Sequence, residues 1–220
     1  MGSDAGLWKA QQLVNGKILN DALSSYGEIA TTELPLQYTD SEGHPHSGRA
    51  DTVMYTRDAE GHIKGMTIFD KKVSKAVTPH HMLQTLAYVR AAEQARRAII
   101  DKKYGSYKEM AEANFGNDAN LKKMFERFED DPDAAETFFG ALKDGSVAIS
   151  GGIARIDPTT GKFELNTLPF YEGMASLTGN SADDERLLAA LASNKNIEAW
   201  SEQDRGLLNK VRLRQVGRGQ

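Results

Sequence analysis

The chain has 220 residues, a formal net charge of −4 and no cysteine. That length suits one sizeable domain, the charge excludes a globally basic nucleic-acid binder, and the missing thiols exclude disulfides, Cys-ligated zinc and iron–sulfur clusters. No apolar run approaches the ~18 residues of a membrane span, and "MGSDAGLWKAQQ" lacks the basic and apolar regions of a secretory leader, so a cytoplasmic protein without a membrane partner is expected.

Helical spacing of Val14, Ile18, Leu19 and Ala22 predicts a helix over about 6–26. Ile29–Tyr38 reads as extended, "TDSEGHPHSG" as a turn with solvated His44 and His46, and Arg49–Thr56 as a second strand. A third strand, Ile63–Lys72, follows the turn "RDAEGH" and completes an antiparallel meander. Thr78-Pro79 then opens a long helix to about Lys103, with threonine at the N-cap and proline in the first turn.

Residues 105–145 form a helical insert with breaks at "GND" and "DDPD". A second hairpin spans Ser146–Pro169 around "DPTTG". "SADDERLLAALAS" is a capped amphipathic helix, and a last helix is expected over Ser201–Leu213. The order predicts an α/β (α+β) fold: a central mixed sheet flanked by helices, in one domain over 1–220. Its core covers about 5–104 and 146–170, and its C-terminal helices about 181–214.

Charge is unevenly placed. Gly61–Tyr104 holds nine Lys or Arg against three acids, whereas the insert holds five against ten. The tail "KVRLRQVGRGQ" is basic, which suits a DNA clamp or a frayed solvated end.

The chemistry concentrates between His46 and Ala92. Asp70 and Lys72 are two apart on a strand, so their side chains share a face, while Lys71 points the other way. A hairpin of the second and third strands brings Asp51 near the end that carries Asp70. Two hard carboxylate ligands suit Mg²⁺ or Mn²⁺, and a lysine beside them suits orienting water or stabilising charge on a phosphate. Gln84 and Tyr88, one helical turn apart, face the same way. The set fits phosphodiester hydrolysis.

"GRAD" with Asp51, "IFDKK" with Asp70 and Lys72, and "QTLAY" with Gln84 and Tyr88 resemble the PD-(D/E)XK nuclease superfamily, in its RecB-like exonuclease branch. The resemblance runs over most of Ala5–Pro169 and implies a restriction-endonuclease-like core. It implies a Mg²⁺- or Mn²⁺-dependent deoxyribonuclease in which Asp51, Asp70 and a glutamate, Glu28 or Glu33, hold the metal. Lys72, Gln84 and Tyr88 complete the catalytic set. The pattern departs from its relatives in having no histidine on the first helix.

DNA is the implied partner, in recombination, repair or phage DNA processing, with a separate recombination protein as a possible second partner. Lys75, His81, Arg96 and Arg97 are candidate contacts to the DNA backbone. Two alternatives stay open. One is a nuclease toxin, a delivered effector neutralised by an immunity protein; the other is a catalytically inactive nucleic-acid-binding module.

Overall fold

The structure is a computed structural model that describes residues 3–116 and 118–219. The first helix, α1 (Ser3–Tyr26), leads into a meander of β1 (Glu28–Thr39), β2 (Pro45–Arg57) and β3 (Ile63–Val73). Helix α2 (Pro79–Ile100) follows, then the insert: α3 (Tyr107–Phe115), α4 (Ala119–Asp130) and α5 (Pro132–Lys143). The chain returns to the sheet in β4 (Ala148–Ile156) and β5 (Phe163–Thr167). A small hairpin, β6 (Phe170–Tyr171) and β7 (Met174–Ala175), precedes α6 (Ser181–Ser193), α7 (Glu202–Asn209) and β8 (Arg214–Gly219).

Six strands form one mixed sheet in the order β1-β2-β3-β4-β5-β8. All neighbours are antiparallel except β3 and β4. That parallel pair needs a long crossover, which α2 and the insert supply. The expected α/β architecture with a mixed sheet and flanking helices is present.

Helices cover both faces. Strand alternation sends Met54 and Phe69 to one side, where they pack with Leu19 and Leu23 of α1 and Leu165 of β5. The opposite side carries Val53, Met66 and Ile68 against Leu83, Leu86 and Val89 of α2, and the insert and α6 extend that core. Each fully buried side chain of this kind contributes roughly 1.5–3 kcal/mol. Two glycines of β4 permit the close approach. A Cβ on Gly151 would meet Val89 at 2.7 Å and Thr85 at 2.9 Å, and one on Gly152 would strike Phe69 and the Asn166 carbonyl. Helix α2 and the Phe69 ring therefore seat on opposite sides of the same dipeptide.

Predicted and observed elements agree closely from α1 to α2. Thr78 caps α2 in a reciprocal box: its hydroxyl accepts the His81 N–H, and His81 Nδ1 accepts the Thr78 N–H at 3.1 Å. Within the insert, α3 stops at Gly116 (φ 54°), with Asn117 outside the described residues.

The C-terminal reading needs correction. The last helix is shorter than expected, and the basic tail is not a frayed end: Arg214–Gly219 pairs with β5 as an edge strand. Backbone pairing decides this, since Val216 is the only branched aliphatic residue in the strand and no alternation marks it. Among the described residues, no helix is long and apolar enough to cross a membrane.

Candidate active site

Asp51 and Asp70 meet where β2 and β3 part. Their ladder ends at Thr52 opposite Phe69. One step beyond, the Asp51 carboxylate replaces the missing backbone acceptor and takes the Lys71 N–H at 2.7 Å. It also comes within hydrogen-bonding reach of the Asp70 carboxyl. Asp70 is 4 % exposed. Burial, and then the neighbouring Asp51, push its pKa up to about 7, against the opposing pull of Lys72.

Lys72 projects from the same face as Asp70, its Nζ 2.9 Å from Asp70 Oδ2. The approach is short but poorly angled, and Asp70 Oδ2 remains a buried acceptor without a well-formed hydrogen bond. The Lys72 ammonium donates instead to Gln84 Oε1 at 3.0 Å, and Gln84 Nε2 donates to the Tyr88 hydroxyl at 3.0 Å. This chain fixes the amide orientation, because an ammonium is only a donor. It also leaves the phenol's own proton for an acceptor elsewhere. Burial, followed by the Asp70 charge, raises the Tyr88 pKa, so the phenol stays protonated. Lys71 points to the other face and donates to Asn20 of α1 at 3.3 Å.

The contacts of Gly48 explain the glycine of "GRAD". A Cβ there would lie 2.6 Å from Tyr88 Cε1, a distance real side chains do not reach, so the Tyr88 ring rests directly on β2. Further along the same strand, Arg49 binds Asp118, at the start of α4, at 2.8 Å. Asp118 also accepts the Leu121 N–H at 2.9 Å. The acidic insert is thereby anchored beside the site. Sequence spacing carried no signal for this long-range pair.

The two glutamates part company. Glu33 falls between Thr32, opposite Thr52, and Leu34, opposite Ala50, which places it across from Asp51. Its backbone is left-handed (φ 55°), a conformation that costs an ordinary residue of order 1–2 kcal/mol. Its carboxylate lies 3.9 Å from Arg49 Nε. Glu28 is not at the site. It sits at the far end of β1, opposite Tyr55, and pairs with Arg57 at 2.9 Å.

The proposed backbone contacts also divide. Lys75 is exposed next to the site, on a groove of about 440 Å³ that it shares with Arg155 and Arg212. Arg155 holds that turn by donating to the Ser74 and Lys75 carbonyls. His81 is committed to the helix cap, and burial, then Lys72 and His80, push its pKa down to about 4, so the ring is neutral. Arg96 is a structural cap: it donates to the carbonyls of Ala141, Leu142 and Val147. Arg97 is exposed thirteen positions beyond Gln84 on α2, roughly 20 Å away at 1.5 Å per residue.

A divalent cation fits the donor set. Asp70 Oδ2 is buried with no well-angled hydrogen bond, and burial and the adjacent Asp51 disfavour the charge on Asp70, which a cation would offset. Mg²⁺ commonly takes only one or two carboxylates, with water and phosphate completing its shell. Among the described residues, no group of three or more His, Asp or Glu forms a ready-made cage. No protein-family model matches the chain, and neither a curated protein nor a solved structure matches it.

Proposed function

We propose that the chain is a metal-dependent DNA nuclease that hydrolyses phosphodiester bonds. The observation that carries this reading is the junction of β2 and β3. There, a buried carboxylate whose charge is disfavoured by burial and by the neighbouring Asp51 lies 2.9 Å from the Lys72 ammonium, in an approach too poorly angled for a hydrogen bond. Burial and a like charge that shift a carboxyl this far, beside a specific cationic partner, are more typical of a functional site than of a structural salt bridge.

In this reading Asp51 and Asp70 hold Mg²⁺ or Mn²⁺, with Glu33 the nearer of the two candidate glutamates. The bound ion would supply Lewis acidity and lower the pKa of water. Lys72 stabilises negative charge developing on the phosphate and orients the incoming water. Gln84 fixes the ammonium through its Oε1 and is itself fixed by Tyr88. The protonated Tyr88 phenol donates to a phosphate oxygen or a base. DNA as substrate, and an exonuclease role in recombination or repair, rest on the sequence resemblance.

The test is cleavage of matched linear and closed circular DNA, single- and double-stranded, with Mg²⁺, Mn²⁺ or EDTA, beside Lys72→Ala. Metal-dependent loss of linear DNA only, abolished in the variant, is the expected result. Cutting of closed circles would make the protein an endonuclease. A folded protein that cleaves no form of DNA with either metal would overturn the reading.

A further inference from the structure

Beside the site a second groove opens between α2, the β1–β2 hairpin and the end of α6. Its volume is about 190 Å³, below the roughly 300–1,000 Å³ of sites that take drug-sized ligands. Leu36, Ala87 and Leu191 give it an apolar lining, Tyr88 forms the wall shared with the site, and His80 and Lys195 bring cationic or hydrogen-bonding groups. Tyr88 cannot retreat, because it is pressed against Gly48. His46 also borders the groove, stacked on Tyr38 with ring centroids 6.2 Å apart and held by Asp40 at 3.0 Å.

We propose that this groove receives the unpaired base of a single-stranded DNA end whose phosphate lies at Asp70 and Lys72. The proposal rests on the nuclease reading and adds the form of substrate. Three features favour that occupant. The groove shares Gln84 and Tyr88 with the site, so a nucleotide whose phosphate is at Lys72 has its base within reach of it. Its volume suits one ring system and not a base pair. A largely apolar space beside an aromatic, with a lysine at its border, suits a base and the following phosphate. The end of α6 thus gains a role: Leu191 and Lys195 bring one wall from a region far along the chain.

The experiment uses the full chain carrying Lys72→Ala, so that DNA binds without being cut. The probe is an oligonucleotide with 2-aminopurine at its end, single-stranded or as a blunt duplex of the same sequence. Ala87→Leu fills the groove, and Lys195→Glu reverses a charge on exposed surface, keeping the test valid if the first variant folds poorly. Filling the space beside the aromatic, or reversing the charge at its border, should each weaken binding of the single strand about tenfold. Fluorescence of the terminal base should change on binding in the parent and not in Ala87→Leu.

Single-strand affinity as tight in both variants as in the parent would overturn the proposal, as would a blunt duplex bound as tightly as the single strand. Wild-type protein that neither binds nor cleaves DNA would sink the nuclease reading and this one together. Metal-dependent cleavage of single strands that is indifferent to both substitutions would remove this one alone.

Discussion

Lys71 and Lys72 are neighbours in sequence and opposites in environment. Lys71, half-buried, reaches across the α1 face to a single amide, that of the exposed Asn20. Lys72, on the α2 face, is 24 % exposed and lies between a buried carboxylate and an amide that is itself held by a phenol. The same side chain is a tether on one face and part of an ordered polar chain on the other. Strand alternation alone makes the difference, so the comparison separates what a lysine contributes by charge from what it contributes by position.

The largest expected effect breaks that symmetry. Lys72→Ala, like Asp70→Asn, should lower cleavage by at least ~10²–10³-fold, the scale of losing a placed electrostatic group. Lys71→Ala keeps the backbone N–H that Asp51 accepts and should change the rate by about twofold or less, as surface substitutions do. Single-turnover rates with saturating metal would measure both. Equal losses would mean that net charge, and not the α2-face arrangement, drives the reaction.

Next in size are changes that loosen Lys72 without removing it. Tyr88→Phe leaves Gln84 Nε2 without its acceptor, which costs about 1–3 kcal/mol if the group stays buried. A rate loss of about tenfold or more is expected. Gly48→Ala should act through the same ring, since the added methyl displaces Tyr88, and overpacking of this kind costs about 1–3 kcal/mol. Combining the two should give less than the product of their separate effects, because both act through one side chain.

The two faces should also differ in their response to pH. Asp70 has its folded pKa, about 7, above the ordinary 3.8. The folded state therefore binds more protons than the unfolded chain between about pH 4 and 7, and stability falls as pH rises through that window. Melting temperature in EDTA should drop from pH 4 to 7 by more in the wild type than in Asp70→Asn. Adding Mg²⁺ at pH 8 should restore part of the loss in the wild type only, since a ligand that binds the folded state stabilises it. No Mg²⁺-dependent shift would tell against metal binding at Asp51 and Asp70.

The smallest effect on catalysis is expected at Arg96. Arg96→Ala strips donors from three carbonyls at the end of α5 and the start of β4. It should lower stability by about 1–3 kcal/mol and leave cleavage per folded molecule unchanged. Denaturant unfolding beside an active-fraction assay would separate the two.

Sequence exposed the parts of the molecule built from local rules. Two-residue periodicity in β3 placed Asp70 and Lys72 together and Lys71 apart, and the Thr78-Pro79 start fixed α2 and with it the shared face of Gln84 and Tyr88. The remainder depends on partners distant in the chain. Nothing local to Arg96 tells a cap from a solvated arginine; its three carbonyls lie on elements that arrive much later. Glu28 and Glu33 look alike in sequence until the β1–β2 register sets one across from Asp51 and the other beside Arg57. The tail carries little strand pattern of its own, because β5 supplies the pairing.

The crossover between β3 and β4 has a kinetic consequence. Asp51, Asp70, Lys72, Gln84 and Tyr88 lie on three consecutive elements, β2, β3 and α2, whereas β4 enters only after α3, α4 and α5. Closing that long loop carries an entropic cost that the hairpin does not. Hairpin amides such as those of Val53 and Thr67 should accordingly become protected from exchange earlier in refolding than those of Ile153 and Ala154. The chemical groups would gather first among near neighbours in a loosely held arrangement, and the late arrival of β4, with its paired glycines admitting α2 and Phe69, would then make that arrangement rigid.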